Sequence, residues 1–248
     1  MVSIKSEREI ELMRHSGHIN YLCHKYLESK LRPGITTKEI DDLAGKFMKE
    51  HDCVSSSLNY QGYPGYICIS VNDEVVHGIG GKRKLKNGDI VTLDISMSYK
   101  GYHSDSAATY PIGTITKEKE ELLKNTKQAL MEGLKEVKAG AKLGNVSHAI
   151  EKYAHKHHLS VVEELCGHGI GTKLHEDPDI PNFGDEGVGL TMKAGMTFAI
   201  EPMLNLGSRY VCILDDDWTI VTQDGKDSAH FEHTVLVTDE GYEILTGE

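Results

Sequence analysis

Asp94-Ile95-Ser96-Met97-Ser98-Tyr99-Lys100-Gly101-Tyr102-His103-Ser104-Asp105 reads as a β-hairpin with one acid on each arm. Val91, Leu93 and Ile95 alternate with Thr92 and Asp94 on the first arm, residues 102–110 form the second, and Lys100-Gly101 supplies a two-residue turn. Pairing Tyr99 with Tyr102 sets Asp94 opposite Ala107 and makes Asp105 its diagonal neighbour on the same sheet face. Diagonal neighbours lie roughly 7–8 Å apart at Cα, so the two carboxylates repel unless something positive stands between them. A divalent cation on that face is the expectation.

The order of elements around the hairpin recurs. Ser6 with Glu9 and Thr36 with Glu39 have capping-box spacing, each opening a helical pattern, Ile10 to Leu31 and then Ile40 to Met48, with Pro33-Gly34 between them. A loop rich in glycine and tyrosine (59–65), a short strand (66–71) and a loop carrying His77 lead into the hairpin. Downstream, helices are expected over 117–137 and 145–158, broken at Gly140, followed by strands over 161–165, 196–204, 210–214, 219–223 and 231–237. Helix, helix, then antiparallel strands occurs twice, which predicts one α+β domain over 1–248 with two similar halves, roughly 1–115 and 116–248, meeting at a seam.

Composition narrows the function. With 248 residues the chain buries a substantial core. No run approaches the 18 apolar residues of a membrane span, and the polar start, Met1 to Glu11, does not read as a secretory signal, so a cytoplasmic protein is expected. A net charge of −11 argues against nucleic acid as a partner, and the basic cluster Lys82, Arg83, Lys84 and Lys86 reads as a solvated loop. Cys23, Cys53, Cys68, Cys166 and Cys212 are scattered, odd in number and free of any C-x-x-C pair, so they read as reduced thiols.

The second half again carries ligand-type residues where apolar ones are expected. His168 sits in Gly167-His168-Gly169-Ile170-Gly171, read as directly following a strand, with glycines that let backbone approach a bound group. Glu201 interrupts Thr197-Phe198-Ala199-Ile200-Glu201-Pro202-Met203, and Glu232 interrupts Ala229-His230-Phe231-Glu232-His233-Thr234-Val235, both within expected strands. Singly, each glutamate fits an edge position facing water and His168 fits an ordinary loop; together with Asp94 and Asp105 they make four carboxylates and an imidazole. Two divalent cations would neutralise four negative charges, and this oxygen-rich set suits Mn²⁺, Fe²⁺, Co²⁺ or Zn²⁺ in a bridged pair. Such a pair activates water for hydrolysis.

These five residues, with His77 in Val75-Val76-His77-Gly78, the run from Gly167 through His175-Glu176-Asp177-Pro178, and Phe198-Ala199-Ile200-Glu201-Pro202-Met203, resemble the type I methionine aminopeptidases over nearly the whole chain. The resemblance implies a pita-bread fold around a dinuclear metal centre, and removal of the initiator methionine from nascent polypeptides, with a small second residue preferred. It implies Asp94, Asp105, His168, Glu201 and Glu232 as metal ligands, Glu232 bridging, with Glu201 also moving a proton from the attacking water to the leaving amine. It implies His77 and His175 as substrate-contacting histidines, and Tyr60, Tyr63, Cys68, Leu174 and Trp218 as walls of the methionine pocket. Leu174 stands where relatives often carry an aromatic residue, and Ser57 where bacterial relatives often have cysteine. Asn72 and Ser228 match positions that in some relatives hold a monovalent cation. The chain looks like the short bacterial form, a monomer acting on nascent chains at the ribosome. The alternatives are a prolidase or aminopeptidase P of the same fold, and a non-catalytic relative that binds protein or RNA.

Overall fold

In a computed structural model, which describes residues 2–247, the first half of the chain forms helices α1 (Glu7–Glu28) and α2 (Thr37–Glu50) and strands β1 (Val54–Ser55), β2 (Cys68–Val71), β3 (Glu74–Val76), β4 (Ile90–Tyr99) and β5 (Tyr102–Pro111). The second half begins with α3 (Lys117–Leu134) and α4 (Gly144–Lys156), then β6 (Ser160–Val161), β7 (Cys166–Gly169), β8 (Glu176–Pro181), β9 (Thr197–Ile200) and β10 (Met203–Asn205). It closes with β11 (Val211–Ile213), β12 (Ile220–Thr222), β13 (Ser228–His230), β14 (His233–Val237) and β15 (Tyr242–Ile244). At the start of α2 the Thr36 N–H donates to the Glu39 carboxylate at 2.8 Å while the Glu39 N–H donates to Thr36 Oγ1 at 3.1 Å. At the start of α1 the Glu9 carboxylate likewise accepts the Ser6 N–H, at 2.8 Å.

The hairpin has the register its sequence predicts, Tyr99 facing Tyr102, Asp94 facing Ala107 and Ser96 facing Asp105. Lys100 and Gly101 both have positive φ, 48° and 82°, the backbone that a tight two-residue turn between twisted strands requires. Two other expected strands are interrupted. The one over 196–204 splits at Glu201-Pro202, and the one over 231–237 starts only at His233, after a break that follows β13. Pro202 has no N–H to give a ladder, and the N–H of Glu232 turns away to donate to Ala107 O at 2.9 Å. The glutamates therefore sit at breaks between strands, where the chain can turn a side chain out of the sheet's alternation.

Those breaks lie along the seam. Asp105 donates its N–H to Thr234 Oγ1 at 2.9 Å and its carbonyl accepts from the same hydroxyl at 2.7 Å. Two residues on, Ala107 accepts from Glu232, and two further on, Thr109 Oγ1 bonds both the carbonyl and the N–H of His230, each at 3.0 Å. One edge of β5 is thus stitched antiparallel to the second half, with threonine hydroxyls standing in for missing ladder bonds. A second tie is β12, which pairs with β3 of the first half.

Each half has its own apolar core: Leu27, Ile40, Met48, Leu93 and Ile95 in the first, Leu130, Ile150, Phe198, Ile200 and Val235 in the second. Between α1 and β5 the packing is polar, with a stripe at four-residue spacing that apolar periodicity does not reveal. Ser16 Oγ meets Ser104 Oγ at 2.8 Å, Asn20 Oδ1 accepts from Ser106 Oγ at 2.7 Å, and His24 Nε2 donates to Ser106 O at 3.1 Å. With Nε2 protonated, His24 Nδ1 accepts from the Tyr110 hydroxyl at 3.0 Å.

Burial pushes His24 down to about 4 from an ordinary 6.5. The unfolded chain takes up this proton through the ordinary range and the folded chain does not until about 4, so stability is full above that window and falls as pH drops through it. The expected loss is on the order of 3 kcal/mol from this group. Denaturant unfolding across the same pH range should show it, with a shallower acid dependence in His24→Gln.

Candidate metal centre

Pleating puts Cys68, Asp94, Ser96 and Asp105 on one face, because Cys68 pairs with Asp94 across β2 and β4, and Ser96 with Asp105 across β4 and β5. All four line one cavity of about 580 Å³. The sequence places His168 after a strand, but it lies within β7, paired with Ala199 of β9 and Asp179 of β8. The flanking glycines serve these neighbours rather than a bound group. A Cβ at Gly167 would stand 2.4 Å from Ala199 O, and one at Gly169 2.1 Å from Asp177 O.

His168 Nδ1 donates to Gly169 O at 2.9 Å, which leaves an unprotonated Nε2 facing Asp105 Oδ2 at 3.9 Å and Glu201 Oε1 at 3.6 Å. One ligand atom each from Asp105, His168 and Glu232 lie within 4.8 Å of one another, and all three residues are buried. Glu201 joins them through His168. Neither glutamate faces open water, since the Glu232 residue is 2% exposed and the Glu201 side chain 14%.

Among the described residues no lysine or arginine pairs with Asp105, Glu201 or Glu232; their close partners are histidines. Burial first, and then the neighbouring carboxylates, hold Asp105, Glu201 and Glu232 well above the usual carboxylate range. Asp94 opens onto the cavity, yet the surrounding protein still pushes it up to about 7. Burial also pushes His168 down to about 4, so its imidazole is neutral at pH 7. Asp105 Oδ1 and Glu232 Oε1 are buried without a hydrogen-bond partner. Orphaned acceptors and a neutral imidazole turned toward the acids are what a divalent cation satisfies, so this donor set fits such an ion.

His77, Tyr60, Tyr63, Leu174, His175 and Trp218 line the same cavity. His77 follows β3 at φ 60°. The His175 ring lies 4.3 Å from that of His168, and its Nδ1 is 2.9 Å from the Tyr60 hydroxyl. Burial lowers both His77 and His175, so both are neutral donors at pH 7. Trp218 packs edge-on against Tyr63 at 5.1 Å and reaches His77 at 6.4 Å, while the Tyr63 hydroxyl donates to Gly78 O at 2.7 Å. Ser57 lines the cavity too, its Oγ 2.8 Å from Ser96 Oγ.

Asn72 and Ser228 do come together, Ser228 N–H donating to Asn72 O at 3.0 Å. The ammonium of Lys119 lies 3.0 Å from Asn72 Oδ1 and 3.3 Å from Asp227. His230, not singled out by sequence, also reaches the acids. Its context, Ser228-Ala229-His230-Phe231, is that of an ordinary strand residue.

Residues 11–239 match the profile of metallopeptidase family M24. The chain is 50% identical over 246 residues to methionine aminopeptidase 1 of Bacillus subtilis, covering 99% of each. It superposes on the crystal structure of methionine aminopeptidase from Rickettsia prowazekii with TM-score 0.98 at 40% identity, each chain covered in full. The Xaa-Pro dipeptidase from Bacillus anthracis shares the fold, with TM-score 0.79, but at 24% identity and with 62% of its chain covered.

Burial and the neighbouring carboxylates raise Glu232, so without metal the folded chain bears the cost of keeping that acid in place, and an amide there removes it. Glu232→Gln in chelated protein should be more stable than chelated wild type by at least about 1 kcal/mol. The same variant should gain less from added Mn²⁺; parallel calorimetric melts with chelator and with Mn²⁺ check both signs.

Proposed function

The chain belongs to metallopeptidase family M24, among its methionine aminopeptidases, and from that footing we propose how its residues divide the work. The reaction is hydrolytic removal of an N-terminal methionine, and the fold is pita-bread. The observation that best supports the assignment of roles is convergence: Asp94 and Asp105 of the first half, His168 of the second, two further neutral histidines and an apolar pocket open on one cavity, with Glu232 and Glu201 gathered beside Asp105 and His168.

Asp94, Asp105, His168, Glu201 and Glu232 hold two divalent ions, of Co, Mn, Fe or Zn. When bound, these ions lower the pKa of water and polarise a carbonyl. The remaining work falls to the chain. Tyr63, Cys68, Leu174 and Trp218 surround a thioether with apolar, aromatic and sulfur surface. Tyr60 donates its hydroxyl proton to His175 Nδ1, which keeps the His175 proton on Nε2, available to the oxygen that gains charge. His77, beside Trp218 at the pocket, donates to the scissile amide. Glu201 accepts a proton from the attacking water and passes it to the leaving amine.

We place the chain in the cytoplasm as a monomer acting on nascent N-termini at the ribosome. Among the described residues, no helix is long and apolar enough to cross a membrane.

Release of methionine from Met-Ala-Ser should vanish on chelation and return with metal. Glu201→Gln should lower kcat by about 10²–10⁴-fold. Full activity after chelation contradicts the proposal, and faster cleavage of Xaa-Pro peptides than of Met-Ala-Ser would move the chain to the prolidase reading.

A further inference from the structure

His230 ends β13 with 1% of its surface exposed, and neither ring nitrogen meets a hydrogen-bond partner among the described residues. Leaving a buried polar group unpaired is costly. The main chain that carries the ring is held in place. Its backbone is bonded on both sides by Thr109 Oγ1, and its residue is paired with Met203 of β10.

The direction of the ring is informative. Nε2 stands 3.8 Å from Glu201 Oε2 and 4.0 Å from Glu232 Oε2. His168 stands in the same relation to its own pair, 3.6 Å from Glu201 Oε1 and 3.9 Å from Asp105 Oδ2. These separations are too long for hydrogen bonds, but two donors each about 2.1 Å from one ion stand no more than about 4.2 Å apart. All four distances meet that bound. Glu201 thus presents one oxygen to each imidazole.

We propose that His230 is a second imidazole ligand of the metal centre, binding through Nε2 the ion that Glu201 and Glu232 hold. This rests on the metal-dependent reading above, and adds to it a site with two nitrogens and four carboxylates. The competing arrangement, an Nε2–H that only steadies Glu201, leaves one imidazole on the metal.

The test counts imidazoles by electron spin-echo envelope modulation on the full chain loaded with Mn²⁺, alongside calorimetric titration with Mn²⁺. Wild type should show two coordinated imidazoles and His168→Gln one. His230→Gln, which keeps a polar side chain of similar size, should also show one and bind Mn²⁺ at least about tenfold more weakly. A single imidazole in wild type, or unchanged Mn²⁺ affinity in His230→Gln, overturns the inference. Measuring methionine release in the same samples separates the two claims, since a wild type with one imidazole that still releases methionine loses only the role of His230.

Discussion

Four carboxylates gathered between two halves of a chain, three of them with histidines and no lysine or arginine as close partners among the described residues, are the constraint that the rest of this structure accommodates. Like charges in a low-dielectric interior stay together only if they hold protons or share a cation. The protein supplies imidazoles, which burial keeps neutral and therefore available as donors. It also supplies a seam that fixes where each acid points. Threonines 109 and 234 bond the backbone on both sides of it, so the separation of Asp105 from Glu232 is set by hydrogen bonds rather than by the acids themselves.

Substrate recognition and chemistry then draw on the same seam. Asp94, Asp105 and Tyr63 come from the first half, and His168, Leu174, His175 and Trp218 from the second, yet all of them face one cavity. Trp218 reaches Tyr63 because β12 pairs with β3 across the halves, and Tyr60 reaches His175 by a hydroxyl bond across the opening. A cation among the acids would consequently join elements that are distant in sequence, so that binding it and holding the fold become one equilibrium.

The hairpin was legible because strand alternation and a two-residue turn leave one register, and that register alone predicts two acids on a common face. The two glutamates were recognisable as misplaced in apolar runs but not as breaks in their strands, since the break at Glu232 depends on a bond to Ala107, far away in sequence. In the sequence, the glycines around His168 read as room for a ligand. Only the strand pairing shows that they make room for Ala199 and Asp177. The stripe of Ser16, Asn20 and His24 stayed hidden because its partners are serines of β5, and polar helix positions normally face water. His230 is inconspicuous in the sequence for a similar reason, being a single histidine in a strand whose importance lies in what surrounds it.

The central claim is that a divalent cation at the seam relieves the carboxylates and binds the halves together. Differential scanning calorimetry of the chelated chain against the chain loaded with Mn²⁺ tests it most directly. The account predicts a higher melting temperature with metal, rising further as free Mn²⁺ increases. Melts that coincide with and without metal would contradict it.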